Sequence, residues 1–263
     1  MPPVLVDTHC HLAEAPLNGM VEAVLDRARA AGVVQCVVIG TSVASSHAHV
    51  TLAHRFPMLR ATVGIHPHEA DSVTDAAVAE MEALAGDERV VAIGEVGLDF
   101  FRQHAAPERQ RDVFRAFIGV AQRRKLPLVI HCREAYEPLL EILRTEARSP
   151  VRGVIHCASG PAEFIQGALA LGLHISFSGT VTFPNAQATR TLVPLVPDDR
   201  LLIETDAPFL APQVHRGKRN EPFFMLETAR QLAELKGISI EKLGEAVTQN
   251  SETLFNRPFR SKP

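Results

Sequence analysis

Short apolar runs rich in β-branched residues recur along this chain, and their even spacing limits the folds open to it more than any other feature. Eight such runs occupy residues 4–6, 33–39, 60–65, 90–93, 126–130, 153–155, 174–177 and 201–203. Their starts lie roughly thirty residues apart, the length of one strand with its returning helix. Apart from Gln35, Arg60, Thr62, His174 and Ser176 the runs hold no polar side chain, and most do not alternate, the pattern of a sheet covered on both faces. Between them, residues 20–31, 108–125, 136–144 and 163–171 carry apolar side chains at helical spacing. Gly32 stops the first of these helices, and Pro127 opens the fifth strand. Residues 221–255 read as two closing helices joined near Gly237. Eight such units in 263 residues, with no Pro/Gly/Ser-rich linker, predict an α/β protein of one domain, a (β/α)8 TIM barrel. The rival is an open doubly wound sheet, which needs no such even count and generally has fewer strands.

A TIM barrel gathers its reactive side chains at the C-terminal ends of its strands. The motifs at those ends read Asp7-Thr8-His9-Cys10-His11, His66-Pro67-His68, Gly94-Glu95-Val96-Gly97-Leu98-Asp99, His131-Cys132-Arg133, His156-Cys157 and Glu204-Thr205-Asp206. Twelve histidines among 263 residues would place fewer than one near eight strand ends by chance, yet four of the ends hold one. A lone histidine there is usually a hydrogen-bonded structural residue; four converging on one mouth are metal ligands. His9, His11, His131 and His156 are therefore the imidazole candidates. Glu95 could close a turn and Asp206 could cap a helix, but both fit better as ligands, because neutral imidazoles leave a divalent charge uncompensated.

Two histidines one residue apart in an extended segment point to the same side, so His9 and His11 can grip one ion. The second such pair, His47 and His49, reads as sitting at a helix start, where residues two apart diverge by roughly 200°. It is not expected to chelate. His66 and His68 flank Pro67, which bends the chain, and His66 reads as a substrate contact or a structural residue. His174 begins the seventh strand, at the wrong end of the barrel, and reads as structural.

The ordered blocks DTHCHL at Asp7, GIHPHEA at Gly64, IGEVGLDF at Ile93, LPLVIHCREA at Leu126, GVIHC at Gly153, ISFSG at Ile175, LLIETDAPFLAP at Leu201 and RGKRNEP at Arg216 run almost end to end. Together they resemble the TatD-type metal-dependent deoxyribonucleases of the amidohydrolase-like superfamily. The resemblance implies a site for two divalent ions (zinc, manganese or magnesium). It would put one on His9, His11 and Asp206 and the other on His131 and His156, with Glu95 bridging. One departure stands out: the family commonly has His-Cys-Phe-Ser-Gly where this chain has His156-Cys157-Ala158-Ser159-Gly160, which removes a possible stacking or pocket-wall ring.

The expected reaction is cleavage of phosphodiester bonds in single-stranded DNA, from an end, by a hydroxide held at the two-metal site. Asp206 and Glu95 are the expected catalytic carboxylates. A net charge of −3 gives no global pull toward a polyanion, so a local patch must hold the phosphates. Arg216, Lys218 and Arg219 follow the eighth strand and could form that clamp, with Arg133 beside His131. With one Tyr and no Trp, any base-stacking surface must draw on the 13 Phe. The alternative is a metal-dependent amide or ester hydrolase, such as a D-aminoacyl-tRNA deacylase. Residues 40–44 (GTSVA) match a serine nucleophile elbow only loosely, since its last glycine is missing. No Gly-rich nucleotide fingerprint is present, so no nucleotide cofactor is expected. The N-terminus lacks the pattern of a signal peptide, no run is long enough to span a bilayer, and the four cysteines form no Cys-x-x-Cys pair. A cytoplasmic protein without a membrane partner, monomeric or weakly oligomeric, is expected.

Overall fold

The computed structural model describes residues 3–147 and 150–259. Eight strands, β1 (Leu5–Cys10), β2 (Val33–Val38), β3 (Leu59–Val63), β4 (Val90–Asp99), β5 (Leu128–Arg133), β6 (Gly153–Ile155), β7 (His174–Phe177) and β8 (Leu201–Ile203), lie side by side in sequence order. Every neighbouring pair is parallel. Helices α1 (Val21–Ala30), α2 (Val43–Arg55), α3 (Asp75–Leu84), α4 (Pro107–Arg124), α5 (Tyr136–Glu146), α6 (Ala162–Ala170) and α7 (Gln187–Leu192) return the chain between strands. Helices α8 (Met225–Lys236) and α9 (Ile240–Phe255) follow β8, and Gly237 ends α8 in the left-handed conformation, φ 65°. This is the single-domain (β/α)8 barrel that the spacing of the runs predicts.

The ring closes between β8 and β1. Cys10 and Ala207 form a parallel bridge, the Asp206 N–H donates to the His9 carbonyl (2.8 Å), and the His11 N–H donates to the Ala207 carbonyl (2.7 Å). The Asp7 carboxylate reinforces the seam, accepting from the Thr205 N–H at 3.0 Å and the Thr205 hydroxyl at 2.6 Å. Val6, Val37, Val91, Val129, Val154 and Leu202 pack together with Leu254, Phe255 and Phe259 of the C-terminal segment. A larger apolar layer lies between the strands and the surrounding helices.

Three strands run further than their apolar runs predict, β5 by reaching Arg133. β1 reaches Cys10, and β4 reaches Asp99, where Gly97, Leu98 and Asp99 still pair with His131, Cys132 and Arg133. Ladder hydrogen bonds use the backbone alone, so polar residues continue a strand that hydropathy says has ended. The loose serine elbow is also resolved. Ser42 caps α2, its hydroxyl accepting from the Ser45 N–H, and is not held as a nucleophile.

Candidate metal centre

The six expected donors converge where the strands end. The Nε2 atoms of His9 and His11 lie 3.2 Å apart, and Asp206 Oδ1 lies 3.3 Å from His11 Nε2 and 3.6 Å from His9 Nε2. Asp206 has a φ of 59°, a left-handed conformation that Asp tolerates better than most residues. That turn, tied to β1 through the His9 carbonyl, brings the carboxylate to the two imidazoles. Glu95 sits within β4, and its two oxygens face different partners. Oε2 lies 3.4 Å from His9 Nε2. Oε1 lies 2.8 Å from His156 Nε2, 2.9 Å from His131 Nδ1 and 3.4 Å from His66 Nε2. His66 thus joins the cluster itself, while His131 Nδ1 and His156 Nε2 come within 3.3 Å of each other.

Among the described residues four sets of donors have the compactness of an ion site: three in this cluster (His9, His11 and Asp206; His9, Glu95 and His156; His66, Glu95 and His131) and one of Asp7, Cys10 and Cys36. The chemistry of the set fits a divalent cation. Lone pairs of neutral imidazoles facing each other at 3.2 Å repel unless a proton or a cation lies between them. The side chains of His9 and His11 are 0% and 5% exposed, so water cannot relieve that repulsion. Imidazole and carboxylate together suit zinc, manganese or a similar ion.

Without a cation, the electrostatics put protons in its place. Burial opposes charge on Glu95, yet His156, His66 and His9, with a hydrogen bond from His131, hold its carboxyl well below the ordinary value. Burial would also keep His11 neutral, but the Asp206 carboxylate raises it to about 9. His156 is raised well above the usual range by Glu95 and Glu204 against its own burial. His131 rises against burial because Asp99 and Glu95 face it. His9 goes the other way, lowered by burial and by His156. Burial pushes His66 down to about 4.

Two carboxylates that the sequence reading left without a role hold these imidazoles. Asp99 Oδ2 lies 3.1 Å from His131 Nε2 and 2.9 Å from His68 Nε2. Its Oδ1 accepts from the N–H groups of Phe101 (3.1 Å) and Arg102 (2.8 Å). Glu204, fully buried, accepts from the Cys157 N–H at 2.8 Å and faces His156 Nδ1 at 3.3 Å. Both occur in the quoted motifs, but nothing in a sequence says which imidazole a carboxylate faces. Carboxylates behind ligand histidines fix the tautomer and the ring orientation.

Residues 6–256 match the family described as TatD related DNase. The chain belongs to that family. It is 38% identical over 252 residues to the uncharacterized metal-dependent hydrolase YabD of Bacillus subtilis, covering 96% of this chain and 99% of that protein. It is 37% identical over 257 residues to the 3'-5' ssDNA/RNA exonuclease TatD of Dickeya dadantii, covering 95% and 97%. The crystal structure of YjjV, a TatD homolog from Escherichia coli, superposes with a TM-score of 0.92 at 32% identity, covering 97% of this chain and 98% of that one. Like these TatD relatives, the chain is a metal-dependent hydrolase.

The remaining expected residues are distributed around the mouth of this TatD barrel. Arg133 lies over the Phe101 ring, its guanidinium carbon 4.0 Å from the centroid. Arg216 lies over Phe183 at 4.1 Å. Arg219 is paired with Glu221 at 3.3 Å, and Glu221 also binds Arg27 at 2.7 Å. Lys218 is exposed. Of the loop expected as a clamp, Arg216 and Arg219 are therefore engaged locally. Ala158, at the family's usual Phe position, is 2% exposed and offers no open face. His47 pairs with Glu80 on the surface while His49 is buried, accepting from the Ala13 N–H at 3.2 Å, so this pair does diverge. His174 is buried at the start of β7. No helix among the described residues is long and apolar enough to cross a membrane.

Proposed function

We propose that this protein is a two-metal nuclease that hydrolyses phosphodiester bonds of single-stranded DNA, working from an end. The observation that carries the reading is the division of the Glu95 carboxylate. One oxygen faces His9, and the other faces His131 and His156, as expected of a bridge between two centres. His9, His11 and Asp206 would hold one ion and His131 and His156 the other, with Glu95 shared. Ions bound there would acidify a water molecule and neutralise charge on the phosphoryl oxygens.

The chain's own groups supply the rest. Of the two carboxylates in the cluster, Asp206 is the more open, 13% exposed against 4% for Glu95. Its pKa is held down, against burial, by His11 and His9. It is therefore ionised and within reach of the mouth, able to accept a proton as water adds to phosphorus. Asp99 and Glu204 fix the rings of His131 and His156. The relatives named as 3'-5' ssDNA/RNA exonucleases support nucleic acid as the substrate class.

The test is hydrolysis of end-labelled single-stranded DNA by chelator-stripped protein with Mg²⁺, Mn²⁺ or Zn²⁺ restored in turn, beside Glu95→Ala. Metal-dependent and Glu95-dependent release of nucleotides is expected. Metal binding without DNA cleavage would overturn the nuclease reading and favour hydrolysis of an amide or aminoacyl ester.

A further inference from the structure

Two half-exposed phenylalanines stand at the mouth, and neither takes part in holding metal. Phe101 follows β4 and is 48% exposed; Phe209 follows β8 and is 50% exposed. Strands four and eight lie on opposite sides of an eight-strand ring, so the two residues follow the cluster-bearing strands from opposite sides of the mouth. The Phe209 ring lies 5.8 Å from that of His11, and Phe101 is linked through Arg133 to the end of β5, beside His131.

Both rings are mounted on anchored backbone. The Phe209 N–H donates to the Asp206 carbonyl at 2.8 Å, and the Asn220 amide donates to the Phe209 carbonyl. The Phe101 N–H donates to Asp99 Oδ1 at 3.1 Å. The same groups that order the centre thus order its two aromatic neighbours, and little entropy remains to be lost when a ligand stacks on them. An apolar protein partner would want one continuous patch, whereas these rings are separated by a polar, cation-binding cluster. A planar, weakly polar ligand on either side of a charged linker matches that layout.

We infer that Phe101, backed by Arg133, and Phe209 are stacking posts for the nucleobases on either side of the cleaved phosphodiester. The inference rests on the nuclease reading and deepens it. In a duplex the two bases flanking a phosphodiester are stacked on each other and held in pairs, so they cannot part onto separate posts, and the two posts select for unpaired strands. Arg133 then acts as the cationic backing of an aromatic platform, and not as a phosphate clamp.

The test uses metal-loaded protein and three substrates: oligo(dT), the same strand with abasic sites flanking the cleaved bond, and a duplex. Phe101→Ala and Phe209→Ala should each raise KM for oligo(dT) on the order of tenfold. Phe101→Trp should restore it. Wild type should lose about the product of the two factors, on the order of a hundredfold, on the abasic strand, and there the alanine substitutions should add less than threefold. Equal losses on oligo(dT) and on the abasic strand, or no loss on either, would overturn the stacking role while leaving the nuclease intact. If wild type cleaves no DNA with any metal, the nuclease reading itself falls, and the posts fall with it.

Discussion

Replacing Asp99 by Asn removes one charge and tests how the centre is held. Asp99 Oδ1 accepts two backbone N–H groups, so the Asn carbonyl will keep that position and its NH2 will occupy the place of Oδ2. There it faces His131 Nε2 at 3.1 Å and His68 Nε2 at 2.9 Å. In the native protein both imidazoles can donate to a carboxylate oxygen; in the variant a donor meets a donor. His131 can escape only by moving its hydrogen to Nδ1, the nitrogen that faces Glu95 at 2.9 Å and that would hold the metal. A hydrogen bond to a charged group contributes about 1.5–3 kcal/mol, which translates to a loss of about 10- to 100-fold in affinity for the ion at His131. His9, His11 and Asp206 do not contact Asp99, so the other ion should be spared. Isothermal titration of chelator-stripped protein would show two events in wild type and one weakened event in Asp99→Asn, with the overall fold unchanged by circular dichroism. Two events of unchanged affinity would refute both the tautomer argument and the assignment of Nδ1 as the ligand atom.

Two further outcomes follow from backbone and proton placement. Gly97 has a φ of 141°, and a Cβ there would run into the His131 carbonyl of the neighbouring strand, so Gly97→Ala should lower Tm by about 10 °C and weaken metal binding together; a Tm within 2 °C (roughly the resolution of such a shift) would count against the register of β4 on β5. His11 is raised to about 9 from an ordinary 6.5, so without metal its proton stabilises the fold fully below pH 6.5, and this stabilisation, about 3 kcal/mol at most, is lost as pH rises through 9. Thermal denaturation of chelated protein should show Tm falling over that range and metal-loaded protein should not; a flat apo profile would mean that His11 holds no such proton.

The barrel was legible because its strands are covered on both faces and most read as apolar runs, unbroken at residues 90–93 and 201–203. The convergence of the candidate donors was legible because His9, His11, His131 and His156 fell at strand ends that hydrophobic spacing had already located. Local geometry then separated two identical spacings. His9 and His11 lie in and just beyond a strand and meet at 3.2 Å, while His47 and His49 lie in α2 and part. What could not be read is whatever depends on approach between distant segments. Asp99 and Glu204 sat in plain view beside Glu95 and Asp206, but their partners lie 32 and 48 residues away. Arg219 looked free as part of a basic run, but its partner Glu221 is itself held by Arg27, 194 residues away, while Arg216 found Phe183 on the preceding loop.

The division of labour between strands and loops follows from how each is tied down. Glu95, His156 and Asp206 have their N–H groups bonded to the carbonyls of Gly40, just past β2, of Ile130 in β5 and of His9 in β1, at 2.7, 3.1 and 2.8 Å. Moving any of them means breaking the ladder of the barrel, so the spacing of the donors is as rigid as the fold. Phe101, Phe209 and the Arg216–Arg219 segment project from loops, where a side chain can be exchanged without disturbing that ladder. Chemistry that depends on sub-ångström placement of cations belongs on the first kind of position. Choice of substrate belongs on the second, and the burial of Ala158, at the family's usual Phe position, leaves that choice to the loops after β4 and β8. A relative sharing the six donors but lacking Phe101 and Phe209 should therefore bind the same metals and favour a different ester.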